Sequence, residues 1–433
     1  LDIQERIIRH LRRARVLSAI DEKTIVIADS LTAADVILFS RRGVLGCATE
    51  FGGPTSHVSI MARALSLPAL VSMKDVSNQV ENGDIVILDG IKGELIVNPD
   101  AKTLKRYKTK QRRYLRLIQE DKSLVPLPAE TLDGHHISLQ ANLELREEIE
   151  QLSEYGAEGV GLFRTEMLLL MEGRALVTEE EQFAQYKDVV EASSPGPTTF
   201  RILDLGGDKM LPMAHREHNP FLGWRGIRVT LDHPEIFLVQ VRAMLKASEG
   251  LDNLRIMLPM ITHVNEIDES IRWIDQAFAE LCEEGYQLVR PPIGVMIEVP
   301  AAVYQAKHIA QRVDFISVGS NDLTQYILAV DRDNPRVADL YHTMHPAVLM
   351  ALQSVVDAAK DVGIPVSLCG ELAGDPAGAL LLMGMGYDSL SMNAASLPKV
   401  KSVIRNFSLS QAQAMLQQTL QQVGADGVQQ VIQ

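Results

Sequence analysis

Short apolar runs alternate with stretches in which apolar residues recur every three or four positions from about residue 131 onward. There are eight such runs, most of them ending in polar residues: 139–144, 159–166, 199–206, 254–260, 293–300, 313–322, 366–371 and 389–393. Helical spacing separates most of them, as over 266–284 and 348–362. A short continuous apolar run reads as a strand buried on both faces, and repeated strand–helix units predict a parallel sheet. Eight units over about 300 residues predict an α/β fold of the (β/α)8 barrel type, the TIM barrel. The stretch 211–229 breaks the pattern and reads as a long functional loop.

Upstream the pattern is different. Residues 3–18 are basic and amphipathic, with Ile7, Leu11, Val16 and Leu17 at roughly helical spacing. Strand-like runs follow at 24–28, 44–48, 69–72, 84–88 and 94–97, with Asp89-Gly90 and Lys92-Gly93 marking turns. These predict a small α/β domain ending near Pro99. Residues 102–122 carry nine Lys or Arg in a polar helical pattern, and Pro126 and Pro128 end it. A run so charged predicts a solvated helix, placed here as a connector between domains. The expected division is 1–20 as a separate helical segment, 21–100 as a small α/β domain, 101–127 as the connector and 128–433 as the barrel. The tail from Ser408 to Gln433 is Gln-rich and amphipathic and reads as closing helix.

The length of 433 residues fits two or three cores, and 46% apolar with 5% aromatic residues fits a globular α/β chain. A net charge of −14 argues against nucleic acid or an anionic membrane as partner. Cys47, Cys282 and Cys369 lie far apart, which predicts free thiols and a reducing, cytoplasmic setting. Cys47 and Cys282 read as packing residues, in a strand and a helix. No apolar run is long enough to span a bilayer, and no signal peptide is evident.

The chemistry begins at Phe51-Gly52-Gly53-Pro54-Thr55-Ser56-His57-Val58-Ser59-Ile60-Met61-Ala62-Arg63. The glycines permit a tight turn out of the run 44–48, and Thr55 and Ser56 can cap a helix that holds His57 at or near its first turn. Unpaired N–H groups and the positive dipole end of a helix suit an arriving phosphoryl group. Neutral imidazole is a nucleophile near pH 7 that can carry phosphate covalently. Taken alone, the hexapeptide fits a capped turn with a surface histidine equally well.

A barrel places its site at the carboxyl ends of the strands. Those ends carry Arg164 and Glu166, Arg201 and Asp204, Arg225 in the following loop, Glu298, Asn321 and Asp322, Arg332, and Cys369. Guanidinium groups bind carboxylate and phosphate bidentately, and Mg2+ takes a few carboxylates plus substrate oxygens. Several cations, two hard oxygen ligands and one thiol around one mouth suit a small substrate bearing both carboxylate and phosphate. The thiol adds a proton donor on one face.

The stretch 52–63 closely resembles the phosphohistidine signature of enzyme I of the bacterial phosphoenolpyruvate:sugar phosphotransferase system. The stretch 314–332 (Asp314-Phe315-Ile316-Ser317-Val318-Gly319-Ser320-Asn321-Asp322 onward to Arg332) resembles that family's second signature. The likeness runs from about residue 5 to near 420. It implies that His57 accepts the phosphoryl group through Nε2, and that Arg164, Arg201 and Arg332 grip phosphoenolpyruvate, assisted by Asn321 and the backbone beside Asp322. It further implies that Glu298 and Asp322 hold Mg2+, that Cys369 protonates the enolate carbon to release pyruvate, and that Arg225 contacts the phosphoryl group. An HPr-type phosphocarrier would take the phosphate onward for sugar uptake, and a homodimer through the barrel is expected.

Pro54, Val58 and Ser320 depart from the commoner signature residues, and the variant resembles the fructose-type and multiphosphoryl-transfer members. Family members carry a helical subdomain that docks HPr; only its last helix, 3–18, is expected here. Two other readings stand beside phosphotransfer to HPr. One is a chain that binds phosphoenolpyruvate and phosphorylates itself but delivers poorly; the other is a relative of pyruvate phosphate dikinase or phosphoenolpyruvate synthase. The second would need a nucleotide-binding domain, for which no Gly-rich loop is evident.

Overall fold

The computed structural model describes the chain apart from residues 1–21, 54–56, 66, 168–176, 207–216, 333, 335 and 433. The expected helix at 3–18 lies outside the described residues, as does the Thr55–Ser56 cap. The chain divides into two compact units, Leu1–Leu117 and Ile118–Gln433.

In the first unit, β1 (Ile25–Ala28), β2 (Gly46–Thr49) and β3 (Ala69–Leu70) form a parallel sheet in that order. Cys47 and Ala48 of β2 are buried, as the central position in such a sheet requires. The helix Ala33–Arg41 between β1 and β2 starts with a capping box, Thr32 accepting from the Asp35 N–H while the Asp35 side chain accepts from Thr32. A hairpin of β4 (Val86–Asp89) and β5 (Glu94–Val97) completes the unit. The helix Ala101–Lys122 buries none of its residues, as its charge predicts. Its first half is tied to the hairpin by Tyr107 donating to Glu94 at 2.9 Å and by Lys110 paired with Asp89. Its last residue, Lys122, already lies in the second unit and pairs there with Glu154 at 2.9 Å.

The second unit is a closed, all-parallel barrel of eight strands. They are β6 (Ser138–Leu143), β7 (Val160–Phe163), β8 (Thr198–Arg201), β9 (Leu254–Leu258), β10 (Ile293–Ile297), β11 (Phe315–Val318), β12 (Val366–Leu368) and β13 (Ser389–Asn393), closing where β13 pairs with β6. Each coincides with one of the eight apolar runs. Residues facing the helices, such as Ile256, Leu258, Val295 and Ile297, are fully buried in the main core. Helix Pro376–Met385 is apolar around its circumference and is buried from Gly378 to Met385. Below the strands, Lys401 is 2% exposed and donates from Nζ to the Val125 carbonyl at 2.9 Å, which satisfies the buried ammonium.

Two expectations are corrected. Residues 227–229 of the anticipated loop belong to the helix Ile227–Asp232, so the irregular segment ends earlier than its composition indicates. Cys282 is exposed. Its helix, Val264–Glu283, buries Ile267, Ser270, Ile274, Ala277 and Leu281, and the residue after Leu281 turns about 100° off that face.

Candidate active site

Arg164 follows β7 directly and pairs with Glu144, which follows β6. The Glu144 carboxylate holds its guanidinium above the ordinary arginine range. Arg201 ends β8 and is 6% exposed. Its Nη2 pairs with Glu166 and its Nη1 lies 3.2 Å from Asp204 Oδ2. Burial pulls the Arg201 guanidinium down, but Glu166, Asp204 and Glu298 outweigh it and hold the group above the ordinary arginine range. The same Glu166 oxygen accepts the Asp204 N–H at 3.0 Å, so one carboxylate fixes both neighbours. Arg201 Nε and Glu166 Oε2 are buried and have no hydrogen-bond partner among the described residues.

Arg225 is seated by a backbone bridge to Gly206. Gly206 has φ +117°, and a Cβ there would lie 2.2 Å from the Trp224 carbonyl. A side chain is excluded on both counts. Arg225 grips Asp204 with two bonds, Nη2 to Oδ2 at 2.7 Å and Nε to Oδ1 at 3.2 Å. It also lies 3.6 Å from Asp322 Oδ2 and donates from Nη1 to the Tyr326 hydroxyl at 3.2 Å. Tyr326 in turn donates to the Phe221 carbonyl, tying this segment to helix Ser320–Leu328.

Glu298 follows β10, is 1% exposed, and accepts the Met260 N–H at 2.7 Å. Burial first, then the negative charges of Asp322 and Asp204, push its carboxyl up to about 8. Asp322 lies in the first turn of its helix, where Arg332 Nη1 stands 3.5 Å from Oδ1. Asn321 accepts the Glu371 N–H at 3.0 Å through Oδ1, and its own carbonyl accepts from the Tyr341 hydroxyl at 3.0 Å. Among the described residues no group of three or more His, Cys, Asp or Glu is gathered to hold a metal by itself.

Cys369 follows β12 and is 4% exposed, packed with Leu162, Met257, Met296 and Phe315. Burial pushes its thiol up to about 11. At physiological pH it is therefore a proton-bearing thiol, not a thiolate. Arg201, Arg164 and Glu298 all act on it electrostatically, and ion pairs run from Arg201 through Asp204 and Arg225 to Asp322 and Arg332.

His57 stands in the other unit, as the first residue of helix His57–Ala64. The loop before it is pinned by Ser59 donating to the Gly53 carbonyl at 2.7 Å and Thr49 donating to the Phe51 carbonyl at 2.8 Å. Sequence reasoning gave no part to Glu144, Tyr326, Tyr341 or Ser317. Tyr326 and Ser317 stand within the second signature, but a strand or helix pattern gives no sign of which side chain faces inward to a functional group.

The family described as "PEP-utilising enzyme, PEP-binding domain" matches residues 119–409, and "PEP-utilising enzyme, mobile domain" matches residues 20–93. A phosphoenolpyruvate-protein phosphotransferase of Haemophilus influenzae is 43% identical over all of this chain and 76% of its own length. One of Bacillus subtilis is 41% identical over 97% of this chain and 74% of its own. An Escherichia coli protein named phosphoenolpyruvate-dependent phosphotransferase system is 43% identical over 92% of this chain, which spans only 54% of it. Among the described residues no helix is long and apolar enough to cross a membrane. Two matches that jointly span both units, with identity of this order along nearly the whole chain, establish descent: the chain belongs to the family of phosphoenolpyruvate-utilising enzymes, within the phosphoenolpyruvate-protein phosphotransferases.

Proposed function

We propose that the chain moves the phosphoryl group of phosphoenolpyruvate to His57, releases pyruvate, and passes the phosphate to a histidine of an HPr-type carrier in the cytoplasm. The observation that carries this reading is the buried Arg201, held charged between Glu166 and Asp204 with its Nε uncommitted among the described residues. A guanidinium that is desolvated and immobile offers its donors to a carboxylate or phosphate without further reorganisation.

In this reading Arg164, Arg201 and Arg332 hold phosphoenolpyruvate, with Asn321 and the backbone at Asp322 assisting, and Arg225 meets the phosphoryl group. Glu298 and Asp322 would hold Mg2+. The buried Glu298 carboxyl, raised by burial and by the charge of Asp322, forms with Asp322 a pair of oxygen donors that a small divalent cation would relieve, with substrate oxygens completing its shell. Mg2+ bound there would supply positive charge to the enolate oxygen as the phosphate leaves. The protein's own work is positioning: the arginine set fixes phosphate and carboxylate, the imidazole of His57 attacks in line, and phosphoryl transfer needs little else. Cys369 then gives its proton to the enolate carbon.

For His57 to receive and later donate phosphate, residues 21–100 must approach and leave the barrel (128–433), and we take the helix within 101–127 as the pivot. Pairing of two copies through the barrel belongs to the same reading. The test is incubation with labelled phosphoenolpyruvate, Mg2+ and HPr. Label reaching HPr is the expected result; label stopping at His57 would favour a chain that cannot deliver, and labelling that depends on ATP would favour a dikinase-like reaction.

A further inference from the structure

The proton that ends the reaction leaves a sulfur packed against Leu162, Met257, Met296 and Phe315. A thiolate in such surroundings is costly, because burial without compensating donors penalises the charged form. The structure supplies one donor. Ser317, on β11 and fully buried, donates from Oγ to Cys369 Sγ at 3.2 Å. The S–H in turn points to the Val318 carbonyl at 3.6 Å. A buried strand serine has an easier use for its hydroxyl, and its register neighbour Ser367 takes it, donating to the Ile316 carbonyl at 3.3 Å. Ser317 spends its hydroxyl on the thiol.

We propose that Ser317 is a positioning residue for Cys369, orienting the thiol and stabilising the thiolate formed when its proton is delivered. The inference rests on the reading of Cys369 as the proton donor. In the step the S–H bond breaks, sulfur keeps the electron pair, and the enolate's C=C pair forms the new C–H bond while the carbonyl re-forms. Water later returns a proton to sulfur. The Oγ–H···S bond tightens as sulfur becomes negative, since a bond to a charged acceptor is roughly twice as strong as a neutral one. Glu298 opposes ionisation of the thiol from beyond β10, and Arg201 and Arg164 favour it from β8 and beyond β7. Tyr387 also interacts with the thiol electrostatically, while its hydroxyl donates to the Leu352 carbonyl at 3.3 Å. None of these is described as donating to it.

The experiment compares the parent, Ser317→Ala and the control Ser367→Ala for phosphoenolpyruvate affinity by calorimetry and for pyruvate release with HPr as acceptor, in H2O and D2O. Ser317→Ala should lower kcat by about tenfold to a hundredfold, the worth of one hydrogen bond to a charged group, with KM within about twofold. Its solvent deuterium isotope effect on kcat should rise, because proton delivery becomes slower relative to the other steps. Ser367→Ala should keep the parent's kcat. Equal losses in both variants, an unchanged isotope effect, or a loss confined to KM would overturn the assignment. A parent that releases no pyruvate at all would instead overturn the functional reading, so the two failures are distinguishable.

Discussion

Arg201 and Glu148 are two buried charged residues with opposite consequences. Arg201 is surrounded by carboxylates, and its planar fork matches them. Arg201→Lys keeps the charge but loses the fork, and should lower kcat/KM for phosphoenolpyruvate by about a hundredfold in steady-state assays while the melting temperature moves little. Glu148 is 5% exposed and accepts the Glu144 and Leu145 N–H groups, yet burial pushes its carboxyl up to about 7 from an ordinary 4.5. The folded state therefore holds this proton more tightly than the unfolded chain, so its contribution to stability is full below about 4.5 and is lost as pH rises through about 7. Melting the parent and Glu148→Gln across that window should show the parent losing stability relative to the variant as pH rises; parallel curves would contradict the assignment. The residue types at the rim were legible in the sequence because strand ends declare themselves by apolar runs that stop at polar residues. Which partner each would meet was not: Glu144 and Arg164 are joined by the register of β6 on β7, and Asp204 and Arg225 by the return of a loop.

At the scale of elements, the eight strands could be read from the chain because burial on both faces leaves continuous apolar runs. Residues 227–229 could not, since Ile227 and Val229 are buried in a helix of only six residues, too short for its period to stand out. Helix Glu179–Ser193 begins with a capping box between Thr178 and Glu181. Thr178→Ala should cost about 1 kcal/mol and lower the melting temperature by about 2–4 °C, with KM for phosphoenolpyruvate unchanged. Gly206 sits where the loop delivers Arg225, and Gly206→Ala, which drives a Cβ into the Trp224 carbonyl, should lower the melting temperature and the activity together. It should fold, as judged by circular dichroism, and lose at least about tenfold in kcat because the guanidinium is displaced. A variant with parental kcat would remove Arg225 from the mechanism.

On the scale of the whole molecule, the chain pairs a unit that carries a histidine at a helix start with a barrel that carries cations, carboxylates and a thiol. Membership of the phosphoenolpyruvate-protein phosphotransferases fits both halves. A change from irregular short strands to regular strand–helix repeats across a charged helix was visible in the sequence; the division at Leu117 and Ile118, inside that helix, was not, because the charged pattern runs through it without a break. The most direct measurement is the rate at which label from phosphoenolpyruvate enters the protein in the presence of Mg2+, with pyruvate counted in parallel. The account predicts acid-labile, alkali-stable label on His57, pyruvate released in equal amount, and no labelling of His57→Asn. Labelling of His57→Asn at the parent's rate would contradict it.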